Sequence, residues 1–198
     1  MAQRTLPSRR VHWTMVKTMC SIADYLLVHN SKIDAEVVKY KEVPLCPDCG
    51  TQMSYRDSRK RIRRKKGGVK LWVMVSRFLC SACNRLHTAL PDFLIPYKHY
   101  EAEIIRKVID GEVTAETIDA ETFSRPAEIT LARWIAWFEQ DKTDMEGHLR
   151  RVSSQLGFGD AEGNRSLLEE LRKNSRKWLE SAIRIIYNSG GYLRSFRI

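Results

Sequence analysis

Apolar and polar side chains alternate cleanly in one stretch of the chain. Val69, Leu71, Val73 and Val75 are interleaved with Lys70, Trp72, Met74 and Ser76, a period of two that predicts a strand. Gly67-Gly68 sets a turn before it, and Thr51 to Arg56 reads as a shorter strand upstream. Elsewhere the spacing is helical. Met19, Ile22, Ala23, Leu26 and Leu27 predict a first helix over about Val16 to His29. Ile104, Ile105, Val108 and Ile109 predict a helix within Tyr97 to Asp110, stopped by Gly111.

Thr114 to Glu121 reads as a short second helix. Ser124-Arg125-Pro126 marks a new start, after which Leu131, Trp134, Ile135 and Phe138 fall at i, i+3, i+4 and i+7. Three helices with a tight break before the third outline a helix-turn-helix. Asp144 reads as the cap of a further helix carrying Met145, Leu149, Val152 and Leu156, and residues 157–163 as a linker. Ser166-Leu-Leu-Glu169 is a capping box, opening a helix that reaches Tyr187 before Ser189-Gly190-Gly191.

The expected fold class is therefore α+β, a small antiparallel β ribbon followed by a mainly α-helical region. Four segments follow: an N-terminal helix and extension over 1–39, a ribbon with a basic hairpin over 40–95, a helix-turn-helix over 96–140, and C-terminal helices over 141–198.

The ribbon takes its identity from cysteine spacing. Cys46-Pro-Asp-Cys49 and Cys80-Ser-Ala-Cys83 are two knuckles, each able to turn a pair of thiolates onto one ion. Gly50 and Asn84 follow the pairs, and both residue types accept the positive φ that such a turn requires. Cys46, Cys49, Cys80 and Cys83 are thus expected to hold one structural Zn2+. A ribbon this thin depends on its metal, which contributes on the order of 10 kcal/mol to folding. Cys20, among Met15, Val16, Met19 and Ile22, reads as a buried apolar thiol. His87 reads as a strand residue, because four thiolates already complete a tetrahedron. His12, His29, His99 and His148 have no ligand spacing.

Charge adds a partner. The 198 residues carry 34 Lys and Arg against 24 Asp and Glu, a formal net charge of +10, which favours a polyanion. The cations concentrate between the knuckles, where Arg56, Arg59, Lys60, Arg61, Arg63, Arg64, Lys65 and Lys66 surround one acid, Asp57. These eight are the expected contacts to nucleic-acid phosphate, which supply affinity and position but not sequence choice. Readout would fall to Arg125, Thr130 and Arg133 at the third helix. Trp134 and Trp137 read either as base-stacking rings or as core, the latter more naturally for Trp134.

With 43% hydrophobic residues the chain can bury a core. No apolar run approaches membrane length and the basic N-terminus lacks a secretion signal's apolar stretch, so a cytoplasmic protein with no membrane partner is expected. No nucleophile motif, phosphate loop or acidic metal trio stands out, and no active site is expected.

Several runs together resemble a known family: Leu45-Cys-Pro-Asp-Cys-Gly50, Ser54-Tyr-Arg-Asp-Ser-Arg-Lys-Arg61, Arg77-Phe-Leu-Cys-Ser-Ala-Cys83 and Arg85-Leu-His-Thr-Ala-Leu-Pro-Asp-Phe-Leu-Ile-Pro-Tyr-Lys98. The family is an uncharacterised bacterial domain, similar to the zinc-ribbon N-terminal part of insertion-sequence transposases. Those proteins follow the ribbon with a helix-turn-helix, which Ile129-Thr-Leu-Ala-Arg-Trp-Ile-Ala-Trp-Phe138 resembles. The resemblance covers about Tyr40 to Phe138 and implies DNA binding linked to mobile elements, as a regulator or accessory factor. Transposases also carry an acidic catalytic domain, for which this sequence offers no counterpart. DNA is favoured over RNA. The alternative is a ribbon that docks protein or RNA, with the helix from Trp178 to Tyr187 pairing with another protein or a second copy of the chain.

Overall fold

The strand Lys70–Leu79, with the strongest alternation, is the spine of the molecule. A computed structural model describes residues 18–114, 126–158 and 165–193. In it the strands are β1 (Thr18–Ile22), β2 (Tyr25–Asn30), β3 (Ala35–Tyr40), β4 (Ser54–Arg64), β5 (Lys70–Leu79) and β6 (Leu86–Pro91). One edge of β5 pairs antiparallel with β4 along its whole length. The other edge is shared: Val73 and Met74 pair parallel with β3, and Arg77 to Leu79 pair antiparallel with β6. β2 then adds antiparallel to β3 and β1 adds parallel to β6.

The sheet is therefore mixed and six-stranded, not the small antiparallel ribbon expected. The difference arises upstream. Residues expected to form the first helix are β1 and β2. In β1 the consecutive residues Met19, Cys20 and Ser21 are all buried, and a strand covered on both faces shows no alternation. Its apolar run then continues into Leu26 and Leu27 of β2, and the spacing mimics a helix. Asn188 accepts from the Ser21 backbone N–H and donates to its carbonyl, both at 2.8 Å. One amide side chain thereby satisfies backbone groups of an edge strand.

The pleat sorts the core onto the two faces of the sheet. Met19, Val38, Val73, Val75 and Leu90 share one face with the helices, in the larger of two apolar clusters. Cys20, Phe78 and Ala89 lie on the other face with Cys46, Met53 and Cys80, in a small second cluster.

The helices are α1 (Ala102–Ile109), α2 (Glu128–Gln155), α3 (Leu167–Asn174) and α4 (Trp178–Asn188). Two expected boundaries move. Asp144 starts no new helix: α2 runs unbroken through it, because Leu131, Trp134, Phe138, Asp141, Met145 and Leu149 form one continuous buried stripe. The N-cap at Ser166 holds, its hydroxyl accepting from the Glu169 N–H at 3.2 Å. The helix it opens stops at Asn174, however, and a fresh one begins at Trp178. The break lets the Trp178 indole N–H reach Asp110 at 3.1 Å, where Arg106 and Arg172 also converge. The second helix of the expected helix-turn-helix, most of Thr114 to Glu121, lies outside the described residues. A helix-turn-helix is accordingly not shown. Among the described residues no helix is long and apolar enough to cross a membrane.

Candidate metal centre and the basic strand beside it

Two turns place the four cysteines. In the first, Cys46 N–H donates to Thr51 O at 2.9 Å and Gly50 N–H donates back to Cys46 O at 2.8 Å. In the second, Cys80 N–H donates to Arg85 O at 2.9 Å. Gly50 has φ 71° and Asn84 φ 54°, as the knuckle pattern requires. β4 leaves the first turn, and the second joins β5 to β6.

The four sulfurs lie within 4.8 Å of one another. Sγ of Cys46 is 3.7 Å from that of Cys83, and Sγ of Cys49 is 3.5 Å from that of Cys80. A tetrahedron with metal–sulfur bonds of about 2.3 Å has edges of roughly 3.8 Å. The arrangement therefore fits a single four-coordinate ion, and all four cysteines are free of disulfides.

The thiols are electrostatically unlike. Burial pushes Cys46 up to about 12. The Thr51 hydroxyl and backbone amide, with Cys80, draw exposed Cys49 down to about 6. A dication held by these four sulfurs would favour the thiolate form of each and so remove this spread. Cys20, buried beneath the site, is pushed up to about 12 by burial and behaves as a small apolar residue.

His87 is closer to this chemistry than its sequence position suggests. It is a strand residue of β6, fully buried, with Nε2 3.4 Å from Cys46 Sγ and 3.7 Å from an Asp48 carboxylate oxygen. Burial lowers its pKa, favouring a neutral ring, and in the tautomer with its proton on Nε2 that ring donates to the sulfur. Cys46, Asp48, Cys83 and His87 form a second cluster of metal-ligating type, overlapping the first in two cysteines. The four-thiolate set uses every cysteine of the two knuckles and leaves His87 as a hydrogen-bonding neighbour of the cage, the usual role of a polar group at such a site. Asp48 also pairs with Arg85 at 3.0 Å, tying one knuckle to the other.

Residues 46–134 match the model of a domain of unknown function (DUF6431). The match starts on the first cysteine, contains all four, and ends at Trp134 in α2, covering less than half of the chain. No curated protein and no solved structure matches the sequence.

Most of the basic run within the matched segment is strand β4, and its members have different surroundings. Arg61 donates to the carbonyls of Ile95 and Lys98 at 3.0 and 3.1 Å. Arg63 is 9% exposed, pairs with Glu36 and Glu101, and stacks over Phe93 at 4.1 Å. These two guanidiniums turn inward. Arg64 lies over Tyr100 and Lys65 reaches Glu36. Arg56, Arg59, Lys60 and Lys66 are exposed, with Lys60 donating to Ile33 O at 2.9 Å.

Thr130 and Arg133 lie in the N-terminal half of α2, Arg133 exposed and Thr130 half-buried, while Arg125 lies outside the described residues. Tyr100 joins the two regions, touching Arg64 on one side and Trp134 on the other. Trp134 and Trp137 are 4% and 3% exposed, so both are core. The inward turn of Arg63 escaped the sequence because its acidic partners are 27 and 38 residues away. The one available signal was the i, i+2 spacing of Arg61 and Arg63 opposite Val73 and Leu71.

Proposed function

We propose that the protein is a non-catalytic DNA-binding protein braced by one structural zinc ion on Cys46, Cys49, Cys80 and Cys83. Soft sulfur donors at tetrahedral spacing favour zinc among the common ions. A closed set of four thiolates leaves no coordination position for substrate, so the metal's work is to hold the fold. The observation that carries the reading is the attachment of a basic strand to that cage. β4 leaves one knuckle and β5 returns to the other, with Arg56, Arg59, Lys60 and Lys66 exposed along β4 and its turn. The resemblance to the N-terminal part of transposases supports DNA over RNA and a role as a transposon-associated regulator or accessory factor. In this reading Thr130 and Arg133 on α2 supply base contacts.

The test is binding of a labelled DNA duplex by fluorescence anisotropy over a salt series. Four phosphate contacts give a slope of log K against log salt of about −3.6, and a weak or salt-independent signal overturns the reading. A second observation supports a protein contact instead. Leu156 and Phe158 are 66% and 69% exposed, beside an apolar groove between α2, α3 and α4. Self-association through the C-terminal helices would appear in sedimentation equilibrium and would be lost in Leu156→Glu.

A further inference from the structure

The side of the sheet away from the helices is only half covered. Register assigns Phe78, Met74 and Trp72 of β5 to this face. The knuckles and the small second cluster cap its Phe78 end, where Phe78 is 5% exposed. Toward the start of β5 the face opens. Met74, Val37 and Val28 lie side by side across three strands, with Val28 40% exposed. Leu26, next on β2, is 59% exposed, and Trp72 and Met74 are both partly exposed.

The charges on this face have one sign. Lys60 lies beside Met74, Arg64 beside Lys70, and Lys39 beside Leu26. The acidic residues of the described strands, Glu36 and Asp57, pair with Val73 and Arg77 and so point to the opposite face. Two cations converge on one ring: the Lys70 ammonium is 4.8 Å from the Trp72 centroid and that of Lys60 is 5.9 Å.

We propose that this open face binds single-stranded nucleic acid, with an unpaired base stacked on Trp72 and flanking phosphates held by Lys60, Lys70 and Lys39. The inference deepens the nucleic-acid reading above and rests on it. Charge complementarity selects the occupant, because an apolar strip bordered by cations and free of strand carboxylates suits a polyanion that also carries apolar rings. The aromatic ring selects the form. In a duplex the base faces are already stacked on one another, whereas every unpaired base has a free face, and sheet-borne aromatics bordered by cations are a general means of holding one. Lys60 and Lys70 then act twice, steadying the indole in the free protein and pairing with phosphate when a base takes its face.

The test uses the full zinc-loaded chain, a labelled oligothymidine and the matched duplex. Trp72→Ala and the double variant Lys60→Glu/Lys70→Glu are compared with Trp72→Phe, after circular dichroism and zinc content show each to be folded. The expected result is tighter binding of oligothymidine than of duplex, quenching of tryptophan fluorescence on binding, and a loss of tenfold or more in Trp72→Ala. Trp72→Phe should recover most of that loss. Wild-type protein that binds both nucleic acids in a salt-dependent manner, with affinity unmoved by Trp72→Ala, overturns the face and leaves the DNA-binding reading standing. No salt-dependent binding of either form overturns both. A change of oligomeric state in Trp72→Ala, with nucleic-acid affinity unchanged, identifies the face as a protein contact and overturns the proposal.

Discussion

Arg63 shows how one side chain can be recruited from a run of apparent equals. Cations crowd the sequence around it, yet its guanidinium sits between Glu36 and Glu101 over the Phe93 ring. Removing it strands the Glu101 carboxylate and leaves Glu36 only its longer contact to Lys65, close to the condition under which breaking a buried ion pair costs about 3–5 kcal/mol. Arg63→Ala should therefore destabilise by about that amount in urea unfolding, while Arg59→Ala, on an exposed position, should stay within about 0.5 kcal/mol. If the two variants unfold alike, the inward role of Arg63 is wrong. His87 makes a complementary prediction at the cage. Its Nε2 faces Cys46 Sγ from a fully buried ring, so His87→Ala should weaken metal affinity about 10–100-fold, read by chelator competition, with the four cysteines intact. The cysteines themselves were legible from spacing alone, and so were the positive φ angles at Gly50 and Asn84. The fate of the arginines was not, because what turns a charge inward is a partner brought up by tertiary folding.

Between elements, the best-defined electrostatic joint is the start of α3. Ser166 caps its own helix, but Glu146 of α2 also accepts from the backbone N–H groups of Leu167 and Leu168 at 3.1 and 2.9 Å and from the Ser166 hydroxyl. Burial alone would raise the Glu146 pKa. The Leu168 and Leu167 amides, the Ser166 hydroxyl and nearby Arg150 outweigh it, and the folded value lies below the ordinary 4.5. A depressed carboxylate contributes stability that is complete above its unfolded pKa and fades as pH falls through the folded one. Glu146→Gln should thus be less stable than wild type at pH 7, with the gap closing below about pH 4.5 in thermal melts. A constant gap would mean that the charge plays no part. The same joint explains which elements the sequence revealed. The N-cap at Ser166, the turn at Gly67-Gly68 and the alternation of β5 are local signals, and all three appear in the structure. β1 was masked by its own burial and β2 by the apolar run that continues from it into Leu26 and Leu27, and the pause between α3 and α4 follows from Trp178 reaching Asp110, a contact 68 residues long.

At the scale of the molecule, β5 joins everything. It contributes Val73 and Val75 to the helix-facing core, Phe78 to the cluster under the cage, and leads directly into Cys80. Loss of the metal should therefore be felt throughout the fold rather than at one end. Structural zinc contributes on the order of 10 kcal/mol, and each kcal/mol shifts the midpoint of a protein this size by about 2–4 °C. Stripping the ion with a strong chelator should lower the thermal midpoint by at least about 20 °C, and Cys46→Ser should reproduce the effect without chelator. A shift of only a few degrees in both would show that the sheet stands without its cage. The parallel pairing of β1 with β6 has a consequence of another kind, in time. Thr18 must find His87, a partner translated roughly seventy residues later, or about 4–14 s at ordinary elongation rates. Until then Met19 and Cys20 have no strand to lie against. The newborn chain must therefore keep its first strand waiting while the later hairpin is made, and a cell short of metal would extend that wait, with the exposed strand open to chaperones and proteases.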